Sequence, residues 1–143
     1  MNIRQDDTAQ VIMFDDDAED ALLVKTALTR LDVPISFLHV QNKVAFEAVL
    51  TELAHLPDRM QRSLLLLDLN MPGKKGADWL KELRGQSTFD ALTVVVFSTA
   101  NMAEDRARSA MLGADDHLGK PDTVMELAKQ LDALYKRWLK PIA

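Results

Sequence analysis

Acidic, hydroxyl and basic residues stand at the ends of several apolar segments of this sequence. Three aspartates, Asp15 to Asp17, follow the run QVIMF, and Asp68 follows a run of four leucines. Ser98 ends the valine-rich run TVVVF, and Lys120 precedes a proline near the end of the chain. Burying a carboxylate without a partner is costly. These acids are therefore expected to lie where a strand reaches the surface, close to a cation.

Such a set of groups is suited to binding a divalent cation. Neighbouring carboxylates repel each other and raise one another's pKa, and a hard cation relieves that repulsion. Mg²⁺ prefers oxygen ligands and commonly uses one or two carboxylates together with waters and phosphate oxygens. We therefore predict a Mg²⁺ site that contains Asp16 and Asp68, with Asp15 acting through water. The main-chain carbonyl of Asn70, just past the leucine run, is a further expected ligand.

The chemistry that such a site suits is attack by a carboxylate on phosphorus, which gives an acyl phosphate. Phosphoryl transfer depends mainly on positioning and on charge stabilisation. The Lys120 ammonium is predicted to neutralise a phosphoryl oxygen, and the Ser98 hydroxyl is predicted to hydrogen-bond the phosphoryl group. The sequence thus contains a nucleophile, metal-binding acids, a cation and a hydroxyl.

The elements that must position these groups alternate between strands and helices. Strand runs that are apolar throughout indicate a parallel sheet covered on both faces, and the alternation indicates the α/β class. In such sheets, ligands bind beyond the carboxyl ends of the strands. The segment 57–62 is predicted to be a loop. The predicted strands are Gln10–Asp15, Pro34–Val40, Ser63–Leu69, Ala91–Thr99 and a weak strand within 114–120. The predicted helices are Ala18–Asp32, Asn42–Leu56, 76–86, 102–113 and Asp122–Leu139.

Composition restricts the range of functions. The 143 residues fit a single domain, 1–143, with a flexible N-terminus at 1–8 and a C-terminal tail at 140–143. A net charge of -5 argues against binding to nucleic acid. The chain has no cysteine, which excludes disulfides and thiolate metal sites. It has neither a signal-peptide core nor an apolar run long enough for a membrane span, so a cytoplasmic protein is expected.

Four segments together resemble a known family. VIMFDDD, LLLLDLNMPGKKG, TVVVFST and LGKPD look like the motifs of receiver domains of two-component response regulators, in the family's order. The resemblance covers nearly the whole chain. It implies a flavodoxin-like (βα)5 fold with five parallel strands in the order 2-1-3-4-5. The closing segment YKRWLKPIA also resembles the tail of stand-alone receivers that serve bacterial phytochromes.

The resemblance implies a role for each acid of the predicted site. Asp68 resembles the phosphoacceptor. Asp15 and Asp16 resemble the acidic pair that holds Mg²⁺, to which Asn70 would contribute its carbonyl. Lys120 resembles the family's lysine, which many members place before a proline with a cis peptide bond.

The resemblance also implies a conformational switch. The intervals from Asp68 to Ser98 and from Ser98 to Lys120 match the family, and they favour Ser98 over Thr99 as the switch hydroxyl. His117 stands where the family usually has a tyrosine or phenylalanine that moves together with this hydroxyl. A histidine at that position is expected to alter the coupling, because its charge changes near neutral pH.

The predicted function is therefore that of a single-domain receiver rather than an enzyme. A sensor histidine kinase, with a bacteriophytochrome as one candidate, would phosphorylate Asp68 in the presence of Mg²⁺. Phosphorylation would then change a face made of the fourth predicted strand, the fourth predicted helix (102–113) and the fifth predicted strand. That face would bind an unidentified downstream protein. A homodimer is expected to form through the last strand and helices.

Three alternatives remain open at this stage. A phosphatase of the haloacid-dehalogenase type also uses a nucleophilic aspartate with Mg²⁺, but it would want a second acid two residues later, where the chain has Asn70. A flavin-binding electron carrier shares the predicted topology, but the acids of DDDAED would repel the cofactor phosphate. A receiver-like adaptor that acts without phosphorylation is the third.

Overall fold

Five strands form one sheet in the computed structural model of the chain, which describes residues 8–71 and 73–139. The sheet order is β2-β1-β3-β4-β5, and every neighbouring pair is parallel. This confirms the predicted α/β fold and its 2-1-3-4-5 order. The strands are β1 (Ala9–Phe14), β2 (Ile35–Val40), β3 (Ser63–Leu67), β4 (Thr93–Ser98) and β5 (Asp116–Gly119).

The strands β1, β3 and β4 are buried along their whole length because both faces of the sheet are covered. Successive side chains of a strand point to opposite faces. In β1, Ile12 and Phe14 therefore belong to one core, while Val11 and Met13 belong to the other. This arrangement explains why the strand sequences are continuously apolar instead of alternating.

Helices cover both faces, and three of the described helices begin with a residue whose side chain accepts a hydrogen bond from the first turn. Asn42 caps the helix Lys43–Ala54 by accepting a 2.9 Å hydrogen bond from Ala45 N, as its residue type predicts. Gly113, which was predicted to end a helix, has a positive φ of 105°. The α-helices among the described residues are α1 (Ala18–Leu28), α2 (Lys43–Ala54), α3 (Pro57–Gln61), α4 (Gly76–Arg84), α5 (Ala103–Met111) and α6 (Val124–Leu134).

The structure differs from the sequence predictions in several details. The segment predicted as a loop contains the short helix α3, because Pro57 suits the first helical position and Met60 packs into the core. The last predicted helix is shorter, since α6 ends at Leu134 and a π-helical turn, Tyr135–Leu139, follows it. No cis peptide bond occurs within the described ranges, so the bond that follows Lys120 is trans.

The domain prediction is only partly covered by the structure. The predicted C-terminal tail at 140–143 and the predicted N-terminal segment, apart from Thr8, lie outside the described residues. The sheet itself draws on residues from Ala9 to Gly119, and α6 packs against α1. That the whole chain 1–143 forms one domain stays a prediction.

Candidate functional site

The register of the sheet brings two of the predicted acids together. Phe14 of β1 pairs with Leu67 of β3 in the parallel ladder. The next residues, Asp15 and Asp68, therefore leave adjacent strands side by side at the carboxyl edge, and Asp68 N donates a 3.3 Å hydrogen bond to Phe14 O. β1 ends one residue and β3 two residues before its predicted end, so Asp15 and Asp68 directly follow the strands instead of belonging to them.

Asp16 completes a cluster of three carboxylates. One oxygen from each of Asp15, Asp16 and Asp68 lies within 4.8 Å of the others. Asp15 and Asp68 are buried, whereas Asp16 is exposed. A cluster that combines buried and open oxygens at this spacing fits the oxygen preference of a hard divalent cation, which also keeps several waters.

The Asp15 carboxylate is the most strongly perturbed group of the cluster. Its Oδ1 accepts a 2.8 Å hydrogen bond from Asp17 N, but its buried Oδ2 has no hydrogen-bond partner among the described residues. Burial raises the pKa of Asp15 from 3.8 to about 6, although the bond from Asp17 and the charge of Lys120 act in the opposite direction. The charges of Asp68 and Asp20 contribute to this rise. An oxygen left without a partner in a buried acid is an independent indication that the site suits a cation.

The Lys120 ammonium lies between several acids. It is 3.7 Å from Asp15 Oδ2 and 4.0 Å from Asp68 Oδ2, and it donates a 2.6 Å hydrogen bond to Asp20 Oδ2. Burial alone would lower the pKa of Lys120, but the bond to Asp20 and the charges of Asp15 and Asp68 outweigh burial and raise the pKa above 10.5. Lys120 is therefore a permanent positive charge beside the predicted phosphoacceptor.

The loop after β3 holds Asp68 in a fixed turn. Asp68 Oδ1 accepts a 2.9 Å hydrogen bond from Asn70 N, which is a typical aspartate turn. Gly76 N donates to Leu69 O at 3.2 Å and brings the start of α4 against this turn. A β-carbon at Gly76 would lie 2.2 Å from the Asp68 carbonyl oxygen, so only glycine fits there without a backbone shift. Asn70 lies beside the acids as predicted, and the metal-binding role of its carbonyl stays a prediction.

The predicted switch residues line a cavity of about 410 Å³ beside this turn. Asn70, Ser98 and His117 all contribute to its wall. Ser98 is buried at the end of β4, and its Oγ accepts a 3.1 Å hydrogen bond from Ala100 N. β5 is placed beside β4 by the pairing of Ser98 with Gly119, and this pairing brings Lys120 to the same edge.

His117 is buried and held from two sides. Its Nε2 donates a 2.8 Å hydrogen bond to Ala100 O, because a carbonyl oxygen can only accept. Its Nδ1 lies 2.9 Å from Ser109 Oγ on α5. The ring therefore connects β5 with α5 and with the loop that follows Ser98.

Two residues that contact the site were not predicted from the sequence. Asp20 lies in the first turn of α1, directly after the acids of β1, and an acid there could have been noted as pointing to the same sheet edge. Ser109 lies on α5 eight residues before His117, and no sequence signal links the two. His39 lies on the other side of Asp15, where its Nε2 donates a 2.8 Å hydrogen bond to Asp15 O.

Residues 11–132 match the family model described as the response regulator receiver domain. The chain belongs to this family. The predicted resemblance is therefore confirmed, and receivers are signalling domains of two-component systems. The family match gives no support to the phosphatase, the flavin carrier or the adaptor that acts without phosphorylation. None of the helices in the described ranges is long and apolar enough to cross a bilayer.

Individual relatives agree with the family match. The chain is 36% identical over 100 residues to the transcriptional regulatory protein TctD of Salmonella typhimurium, a match that covers 68% of this chain and 44% of TctD. It is 24% identical over 132 residues to the response regulator Rcp1 of Synechocystis, covering 92% of this chain and 90% of Rcp1. The chain thus spans less than half of TctD but nearly all of Rcp1.

Solved structures show the same fold. The Mn(2+)-bound form of Rcp1 superposes with a TM-score of 0.72 at 24% identity, over 94% of this chain and 97% of Rcp1. The phosphorylated cyanobacterial phytochrome response regulator RcpA superposes with a TM-score of 0.75 at 25% identity, over 95% of this chain and 97% of RcpA. The predicted likeness to regulators associated with phytochromes agrees with these matches.

Proposed function

We propose that this receiver accepts a phosphoryl group on Asp68 from a sensor histidine kinase in the presence of Mg²⁺. The observation that carries the proposal is the grouping of three carboxylates within 4.8 Å of one another, with the Lys120 ammonium 4.0 Å from Asp68. Asp15 and Asp16 would hold the metal together with Asp68 and the Asn70 carbonyl. When bound, Mg²⁺ would neutralise phosphoryl oxygens and reduce the repulsion among the acids.

The residues of the chain supply the remaining groups for the transfer. A carboxylate oxygen of Asp68 attacks phosphorus and forms a new P–O bond, while the P–N bond to the kinase histidine breaks. The bonding electrons return to the histidine nitrogen, so the imidazole leaves with its electron pair. Lys120 neutralises one phosphoryl oxygen, and the Ser98 hydroxyl donates a hydrogen bond to another. The domain thus assists its own phosphorylation. Attack by water on the same phosphorus would break the P–O bond to Asp68, release inorganic phosphate and restore the carboxylate.

The phosphorylated state would be read at the face formed by β4, α5 and β5. The Ser98 oxygen accepts a hydrogen bond from Ala100 N, which leaves the hydroxyl hydrogen for the phosphoryl group. A movement of Ser98 towards that group would therefore pull on the loop at Ala100 or break this bond. His117 is bonded to the carbonyl of the same Ala100, so a rearrangement of this loop reaches β5 and α5. His117 is therefore proposed as the second switch residue, together with Ser98. Phosphorylation would shift the populations of two conformations of this face.

The proposed partners follow from this role. RcpA is described as a phosphorylated phytochrome response regulator, and its likeness to this chain supports a bacteriophytochrome as one candidate kinase. The altered face would bind a downstream protein or a second copy of the chain as a homodimer. The net charge of -5 disfavours contact with nucleic acid, and a kinase partner of this type places the domain in the cytoplasm.

Phosphorylation by a small donor tests the proposal directly. Wild-type protein and Asp68→Asn would be incubated with acetyl phosphate and Mg²⁺, and their intact masses compared. Wild type is expected to gain the mass of one phosphoryl group, whereas Asp68→Asn is expected to gain none. Equal gains in both proteins would remove Asp68 from its proposed role, and no gain in wild type would contradict the proposed function.

A further inference from the structure

The shortest ion pair of Lys120 is not with the proposed phosphoacceptor. Lys120 Nζ lies 2.6 Å from Asp20 Oδ2, compared with 3.7 Å from Asp15 Oδ2 and 4.0 Å from Asp68 Oδ2. Only the first contact is within hydrogen-bonding distance, and it is of the short, charge-assisted kind. The lysine side chain therefore has one strong partner, and that partner lies outside the three-carboxylate cluster.

The pair between Asp20 and Lys120 is shielded from solvent. Only 18% of the Lys120 side chain and 20% of the Asp20 side chain are exposed. Ion pairs in such surroundings are screened less than pairs on the open surface. The backbone of Asp20 is also fixed, because Asp17 Oδ1 accepts hydrogen bonds from Glu19 N at 2.8 Å and from Asp20 N at 3.3 Å. The Asp20 carboxylate is thus a well-placed anchor for the lysine.

We propose that Asp20 is a positioning residue that holds Lys120 away from Asp15 and Asp68 before phosphorylation. An ammonium bonded to those two carboxylates would compete with a divalent cation for their oxygens. Bonded to Asp20, Lys120 leaves the oxygens to the metal and stays close enough to meet an incoming phosphoryl oxygen. This inference rests on the proposed function, because it concerns access to the same carboxylates.

Mg²⁺ binding to an Asp20→Asn variant tests this role. Titration calorimetry would measure the Kd for Mg²⁺ in wild type, in Asp20→Asn and in Asp20→Glu. The Kd is expected to rise roughly threefold to tenfold in Asp20→Asn, because Lys120 turns to the cluster. Asp20→Glu keeps the charge and is expected to restore part of the affinity. The half-saturating Mg²⁺ concentration for phosphorylation should rise in parallel with the Kd.

Two matched controls separate this effect from the loss of one negative charge. Glu19→Gln removes the same charge from an exposed neighbour and is expected to change the Kd by less than about twofold. In a Lys120→Met background, Asp20→Asn is likewise expected to change the Kd for Mg²⁺ by less than about twofold, because the lysine that transmits the effect is absent. A crystal structure of metal-free Asp20→Asn should place Lys120 Nζ within hydrogen-bonding distance of Asp15 or Asp68.

The outcomes distinguish the inference from the proposed function. If wild type neither binds Mg²⁺ nor accepts a phosphoryl group, the proposed function fails and the inference fails with it. If wild type does both, but Asp20→Asn binds Mg²⁺ as Glu19→Gln does, only the inference is overturned. An unmoved lysine in the crystal structure of Asp20→Asn would also overturn it.

Discussion

The Asp15 carboxylate lies 3.7 Å from the Lys120 ammonium, yet its buried Oδ2 has no hydrogen-bond partner among the described residues. The opposite charge is too far away to replace the water that the carboxylate loses on folding. Burial is accordingly the largest influence on the pKa of Asp15, which is raised from 3.8 to about 6. Metal-free protein therefore contains an acid that is costly to ionise at neutral pH.

We predict that Asp15→Asn stabilises the metal-free protein at neutral pH. Because the folded-state pKa is raised to about 6, the folded protein holds this proton more tightly than the unfolded chain, and stability falls as pH rises from about 4 to about 6. The amide has no charge to bury, so the variant should gain on the order of 2 kcal/mol above pH 6. Urea unfolding in the presence of a chelator would measure it. The gain should shrink below pH 4, and a less stable variant at pH 7.5 would contradict the prediction.

Mg²⁺ is predicted to stabilise the protein in a pH-dependent way. A ligand that binds only the folded state raises the unfolding midpoint, and a carboxylate must be ionised to bind a metal. Since the pKa of Asp15 is about 6, Mg²⁺ should raise the Tm of wild type clearly at pH 7.5 and much less at pH 5. Asp15→Asn should lose most of this response.

Asp90→Asn is the control for the Mg²⁺ experiment, because Asp90 is exposed and lies outside the carboxylate cluster. This variant should keep the full Mg²⁺ response of wild type. An equal response to Mg²⁺ at pH 5 and pH 7.5 would show that Asp15 does not take part in metal binding.

The acids of the site could be predicted from sequence because they follow strands. Asp15 and Asp68 come directly after apolar runs, and parallel strands bring their carboxyl ends to one edge. The sheet register then fixes their separation through the pairing of Phe14 with Leu67. The apolar strand sequences and the order of the strands are thus enough to predict that Asp15 and Asp68 lie side by side.

The residues contributed by helices could not be predicted in the same way. Whether Asp20 on α1 reaches Lys120 depends on how the helix is rotated and tilted on the sheet, and a short segment of sequence does not specify either. The same holds for Ser109 on α5, which contacts His117 through tertiary packing. Which acid Lys120 bonds also depends on small differences in distance, since its Nζ lies 2.6 Å from Asp20 Oδ2 and 3.7 Å from Asp15 Oδ2.

Ser109 and His117 are predicted to act as a coupled pair. Ser109 has one hydroxyl hydrogen, and its Oγ lies 3.1 Å from Asp105 O and 2.9 Å from His117 Nδ1. Because both side chains are buried, Ser109→Ala leaves His117 Nδ1 without its partner, whereas Ser109 keeps its contact with Asp105 O when His117 is replaced. The cost of Ser109→Ala should thus depend on whether His117 is present. Ser109→Ala and His117→Phe should therefore show a coupling energy of at least about 1 kcal/mol in a double-mutant cycle of unfolding.

The control for this cycle combines Ser109→Ala with His55→Phe. His55 lies on the exposed end of α2 and contacts Thr51 O, so its effect should add to that of Ser109→Ala. Additive effects of Ser109→Ala and His117→Phe would contradict the predicted coupling, and would leave His117 without a demonstrated connection to α5.

Gly76→Ala is predicted to disturb both the fold and the metal site. Its β-carbon would lie 2.2 Å from the carbonyl oxygen of Asp68 and 2.5 Å from the α-carbon of Leu69, so the backbone itself must move. Because this turn orients the Asp68 carboxylate, the free energy of unfolding should fall by at least about 2 kcal/mol, and the Mg²⁺-dependent rise in Tm should shrink. Gly85→Ala is the matched control, since its β-carbon would come no closer than 3.3 Å to Lys81 O. If urea unfolding gives both variants the same stability and the same Mg²⁺ response, the tight approach of Gly76 does not hold Asp68 in place.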